Sequence, residues 1–202
     1  MSTIAIVKKN GSVAIAADTQ ASFRSRKLSA IYDRHAGKIL QVGSSFIGMT
    51  GWGVEQLVLE HLFTSAGEPP RLASKTEIFG VLLKVHQRLK QEYFLTAQAD
   101  EDDAFESSQL SLMIANPFGI FGAYSNRSVI EFERFWASGS GSDYALGAMY
   151  SVYESAVDAL SIAEAGVRAA IEFDDATGAP IESHALQLSA PPVEELELWL
   201  KL

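Results

Sequence analysis

Two apolar β runs joined by a two-residue turn open the chain and leave its beginning little freedom. Thr3-Ile4-Ala5-Ile6-Val7 reads as a strand, Lys9-Asn10-Gly11-Ser12 as a hairpin, and Val13-Ala14-Ile15-Ala16-Ala17-Asp18 as the returning strand. Chain ends generally fray into solvent. A chain that enters a strand at its third residue instead has its start pinned in a sheet.

The residue just before that strand is Ser2. Met-Ser-Thr alone is no signal, since many chains begin this way. With Met1 removed, which a small second residue permits, Ser2 carries a hydroxyl and a free α-amine together. An α-amine titrates near pH ~8. It can take the hydroxyl's proton and return it to a leaving group, so nucleophile and base share one residue. Thr3 would turn its hydroxyl to the other face of the strand.

Composition narrows the remaining choices. With 202 residues, 48% of them hydrophobic, the chain is long enough for one well-filled core and hardly for two. A single domain over residues 1–190 is expected, with 191–202 as a C-terminal extension. The absence of cysteine removes disulfides, thiolate nucleophiles and thiolate metal sites. A net charge of −9 argues against nucleic acid and anionic membrane surfaces as partners. No secretory leader or membrane-spanning run is read, so a soluble, cytoplasmic protein is expected. His35, His61, His86 and His184 lack ligand-like spacing, and neither a metal nor an organic cofactor is expected.

Residues 38–42 and 46–50 read as another hairpin across Gly43-Ser44-Ser45, so four strands come first. After Gly51-Trp52-Gly53 the period becomes helical, with Val54, Leu57, Val58 and Leu62 on one face. Ser74 and Glu77 make a capping box for a second helix, whose Ile78, Val81, Leu82, Val85 and Leu89 share a face. Glu101, Asp102, Asp103 and Glu106 lie in an acidic stretch that reads as a solvated loop. Three strands follow over 110–115, 119–124 and 128–133. Two helices come next, one after Gly141-Ser142-Asp143 and one from Ser161 with Glu164 as a capping box. A last strand is read near 182–188. Grouped strands and grouped helices indicate an α+β layered fold with antiparallel sheets.

This element order, with motifs at 2–20, 38–51, 137–144 and 174–178, resembles the proteasome β-subunit and its bacterial relative, the HslV peptidase. Both are N-terminal-nucleophile hydrolases. The resemblance implies a four-layer α-β-β-α sandwich of two antiparallel sheets flanked by helices. It also implies a set of catalytic residues. Ser2 falls on the family's terminal threonine, and Asp18 on the acid ending the second strand. Lys38 matches a buried lysine that lowers the proton affinity of the terminal amine and hydroxyl. Gly51 in Met49-Thr50-Gly51 matches the backbone donor to the oxyanion. Ser140 lies in the Gly-Ser-Gly turn, and Asp174 and Thr177 match a pair beside the terminal amine.

Two features depart from the family. Serine replaces threonine and lacks the methyl that restrains the hydroxyl's rotamer, and the segment from Asp18 to Lys38 is longer than in HslV. Residues 191–202 extend past the usual HslV end with an amphipathic pattern, and in composition resemble other bacterial proteasome homologues more than HslV. The resemblance implies a cytoplasmic threonine/serine-type endopeptidase in homo-oligomeric stacked rings. Its substrates would be peptides or unfolded proteins, with an ATPase unfoldase as a possible partner. A small-molecule amidase of the same superfamily and a catalytically silent ring scaffold are the other readings.

Overall fold

Asn10 and Gly11 take φ values of 50° and 74°. Both lie in the left-handed region that a tight hairpin needs and that Asn and Gly reach at least cost. The turn brings β1 (Thr3–Lys9) and β2 (Ser12–Asp18) into antiparallel register, with Ile6 opposite Ile15. The computed structural model describes residues 2–23, 26–51, 53–65, 67–96 and 105–189. Among these follow β3 (Ala21–Phe23), β4 (Arg26–Leu28), a 3-10 turn (Ala30–Tyr32), β5 (Ile39–Val42) and β6 (Ser45–Thr50). Helices α1 (Gly53–Ser65) and α2 (Lys75–Glu92) precede β7 (Ser111–Asn116), β8 (Gly119–Ala123), β9 (Val129–Phe132) and β10 (Phe135–Gly139). Helices α3 (Ser142–Val152) and α4 (Ala159–Phe173) and strand β11 (Ile181–Gln187) complete the order.

One sheet has the order β10-β1-β2-β11 and the other β5-β6-β7-β8-β9, with antiparallel pairing throughout both. Alternation along β1 and β2 sorts their side chains. Ile4, Ile6, Val13, Ile15 and Ala17 face the second sheet and meet Met113, Ala115 and Ile120. Ala5, Val7, Ala14 and Ala16 face the other way, against Ala145 and Met149 of α3 and Ile162, Ala163 and Val167 of α4. Both faces of the hairpin are therefore buried, and each isoleucine placed there contributes about 1.5–3 kcal/mol. The second sheet turns Val42, Ile47, Leu112, Ile114 and Phe121 toward Leu59 and Leu62 of α1 and Ile78, Leu82, Val85 and Leu89 of α2. Helices, sheet, sheet and helices make the expected four-layer α-β-β-α arrangement.

Several elements differ from their sequence reading. The short β3–β4 antiparallel pair lies in the long Asp18 to Lys38 segment, so among the described residues six strands precede α1. Lys38 sits one residue before β5. Phe135–Gly139 is a strand because it pairs with β1 across more than a hundred residues, a contact no local pattern announces. Helix α4 begins at Ala159, and its cap is Asp158, whose carboxylate accepts from Ser161 N. Val54 and Leu57 point outward from α1, 63% and 65% exposed. The Ser74 cap of α2 is as expected, accepting from Glu77 N at 3.2 Å. Glu106 is ion-paired to Lys90 at 2.6 Å. Trp52, residues 101–103 and the extension 191–202 lie outside the described residues.

Candidate active site

Asp18 ends β2 with no solvent exposure. A carboxylate buried that deeply must have its lone pairs filled, and here four donors fill them. Oδ1 accepts from Thr3 N at 2.9 Å and Lys38 Nζ at 2.7 Å. Oδ2 accepts from Gln20 N at 3.1 Å and Gly178 N at 3.0 Å. Three of these donors are backbone amides, so the carboxylate is fixed by the fold itself. Lys38 Nζ also donates to the Gln20 carbonyl at 2.7 Å. Burial pulls the Lys38 ammonium below its ordinary value of 10.5, with the charge and hydrogen bond of Asp18 acting in opposition.

A second cluster lies at the turn from β10 into α3 and at the end of α4. Asp174 caps the C-terminus of α4, and its Oδ2 accepts from Ser140 Oγ and Thr177 Oγ1, both at 2.6 Å. Burial works to raise the Asp174 carboxyl, but its hydrogen-bond donors, Ser140 and Thr177 foremost with Ala176 N, and a nearby positive charge together outweigh it and hold the group below its ordinary 3.8. Thr177 Oγ1 lies 2.7 Å from Thr3 Oγ1.

Ser2 lies between the two clusters. It is buried, and its carbonyl accepts from Ser140 N at 2.9 Å. Gly139, at φ 106°, lies so close that a methyl group there would stand 1.8 Å from the Ser2 carbonyl oxygen. Only glycine permits that approach. Thr3 turns its side chain toward Thr177 on the helix side, whereas Ile4 and Ile6 face the second sheet. Carried back one residue, the alternation sets the Ser2 side chain toward the second sheet, the one that Lys38 leads into. Gly51, with φ 150°, follows Thr50, whose Oγ1 lies 3.3 Å from Ser138 Oγ beside that same turn.

Ser2, Asp18, Lys38, Ser140, Asp174 and Thr177 are thus assembled around the start of β1, and Gly51 stands at its margin. Sequence reasoning missed Gln20, Thr3 N and Gly139. The first two contribute backbone atoms to the Lys38–Asp18 pair, and backbone atoms leave no mark in residue type. Gly139 was legible as part of a Gly-Ser-Gly motif, but its contact with Ser2 was not. Among the described residues there is no cluster of His, Asp and Glu fit to hold a metal ion.

Neither protein-family models nor curated proteins give a match to the chain. Solved structures do. BPH of Thiobacillus denitrificans in complex with epoxomicin is 44% identical at a TM-score of 0.87, over 93% of this chain and 100% of that one. Another structure of the same protein is 45% identical at a TM-score of 0.87, over 93% and 98%. The eukaryotic HslV of Trypanosoma brucei is 20% identical at a TM-score of 0.66, over 92% and 99%, and shares the fold.

Proposed function

Because the chain belongs to the BPH family of HslV-like bacterial proteasome β-subunit homologues, we propose that it is a peptidase subunit whose nucleophile is Ser2 after removal of Met1. The α-amine of Ser2 takes the proton from its own Oγ as that oxygen attacks a peptide carbonyl. The tetrahedral oxyanion is held by the Gly51 N–H, a donor aimed at charge that exists only in the transition state. When the intermediate collapses, the C–N bond breaks and the amine's proton passes to the departing amine, leaving an ester on Ser2. Water then attacks that ester, giving its proton to the α-amine, and Ser2 returns with release of the acid.

Lys38 acts by its charge, lowering the proton affinity of the Ser2 amine and hydroxyl, and Asp18 holds it in place. Ser140, Asp174 and Thr177 orient the start of the chain. Residues 1–190 act as one domain with 191–202 as an extension, assembled in cytoplasmic stacked rings. Peptides and unfolded proteins are the substrates, and folded ones need an ATPase unfoldase. The observation that carries this reading is the lysine–aspartate pair at 2.7 Å, tied through Thr3 N to the strand that Ser2 begins. The epoxomicin complex of a 44% identical relative supports it, since a peptide epoxyketone captures the hydroxyl and amine of one terminal residue together.

The test is the intact mass of assembled protein with only a C-terminal tag, before and after epoxomicin. A chain without Met1 that gains one inhibitor, and a Ser2→Ala variant that gains none, is the expected result. Retention of Met1 on assembled protein, or an adduct on Ser2→Ala, overturns it. Turnover of small amides with no cleavage of casein or peptide reporters selects the amidase reading instead.

A further inference from the structure

We propose that Glu182 is a positioning residue for Lys38, acting through the lysine's backbone from the edge of the opposite sheet. The inference rests on the role given to Lys38 above. Glu182 lies on β11, at the edge of the first sheet, opposite Ala17 and one pair from Asp18. Lys38 leads into β5, at the edge of the second sheet. Glu182 Oε2 spans the gap, accepting from Lys38 N at 2.8 Å and from Ile39 N at 3.3 Å.

One further contact holds this carboxylate, and its surroundings brace it. Its Oε1 lies 3.4 Å from His184 Nε2, and the His184 ring stacks on Phe46 of β6 with centroids 4.2 Å apart and planes at 11°. Gly37 allows the approach, since a methyl group there would come within 2.8 Å of Oε2. Gln56 Nε2 donates to the Gly37 carbonyl at 2.8 Å, steadying the same segment from α1. Glu182 is itself only 24% exposed in its side chain.

The physical need is plain. A lysine stem is long and rotamer-rich, so its ammonium is placed only if its backbone is placed. The start of an edge strand has a neighbour on one side alone. A carboxylate on two backbone N–H groups is a charge-assisted contact, stronger than a neutral one. It fixes the root of Lys38, while Asp18 and the Gln20 carbonyl fix the tip. Lys38 thus has both its ends tied to the first sheet, through β2 at the tip and β11 at the root.

The test compares Glu182→Ala with Glu182→Gln in the full-length assembled protein, by two readouts. The first is reductive methylation of Lys38 followed by peptide mass mapping, which needs no catalysis. The second is the rate of epoxomicin adduct formation. Glu182→Ala is expected to raise Lys38 methylation and lower the adduct rate, each about tenfold, the scale of losing a charge-assisted hydrogen bond. Glu182→Gln, which keeps an acceptor oxygen, restores both to within about threefold. Unchanged Lys38 methylation in Glu182→Ala overturns the proposal, as does a Gln variant indistinguishable from Ala. If the wild type forms no adduct while Lys38 responds as expected, the reading of Ser2 fails and Glu182 stands. Should Glu182→Ala not fold, Glu182→Asp, which keeps the charge but draws it back by one methylene, carries the same readouts.

Discussion

Asp18 has no exposure and four donors around it, and Lys38 keeps only 12% of its side chain accessible. Removing the negative charge therefore strands an ammonium in a buried site. Breaking a buried pair from one side costs about 3 kcal/mol or more, so Asp18→Asn should lower the denaturant midpoint markedly and abolish the epoxomicin adduct. Replacing both partners, Asp18→Asn with Lys38→Met, removes the stranded charge. It is expected to recover stability without recovering the adduct, and recovery of both would show the pair to be structural only. Asp174 answers to pH. Its carboxyl is held below 3.8, so its contribution to stability is complete above that value and is lost as pH falls through the lower folded-state value. Asp174→Asn should flatten the acid limb of the stability profile below pH 3.8, and an unaltered limb in acid titrations followed by circular dichroism would count against the assignment.

At the scale of elements, the start of α4 shows how one local pattern imitates another. Ser161 and Glu164 have capping-box spacing, yet the donor that needs capping is Ser161 N and the cap is Asp158. Glu164 instead accepts from Ser183 Oγ on β11 at 2.7 Å. Asp158→Ala should therefore cost about 1 kcal/mol, read as a lower melting temperature, while Ser161→Ala should cost less because its backbone N–H remains. The β1–β2 hairpin and α2 were legible because their signals are local: an Asn-Gly turn between apolar runs, and a Ser cap with a helical apolar stripe. Strand β10 was not, because its serine and glycine residues resemble a turn and its partner is β1. The site divides the same way. Side chains with a charge or hydroxyl could be named from a motif, whereas Thr3 N reaches Asp18 only once β1 and β2 pair, and the Gln20 O and Glu182 contacts to Lys38 exist only once two sheets are stacked.

Across the whole molecule, α1 divides its apolar residues between two environments. Leu59 and Leu62 enter the core, while Val54 and Leu57, three residues apart on the helix, are 63% and 65% exposed. Isolated exposed apolar residues are ordinary, but two on one helical face beside a proposed catalytic turn have a use if rings form. In the proposed ring they would be covered by a second copy, and α1 begins two residues after Gly51. Leu57→Glu adds one more negative charge to a chain already at −9, on a surface where the protomer loses no packing of its own. A surface change of that kind shifts protomer stability by no more than about 0.5 kcal/mol. Its expected signature is therefore a smaller sedimenting species with unchanged far-ultraviolet circular dichroism, together with slower epoxomicin capture because the Gly51 turn loses its support. Ser2→Ala should do the reverse, sedimenting like the wild type while forming no adduct. If Leu57→Glu assembles like the wild type, this face of α1 is open to solvent in the ring, and the contact between subunits must be built from other exposed apolar residues, such as Tyr144 and Phe173, whose rings pair at 5.6 Å.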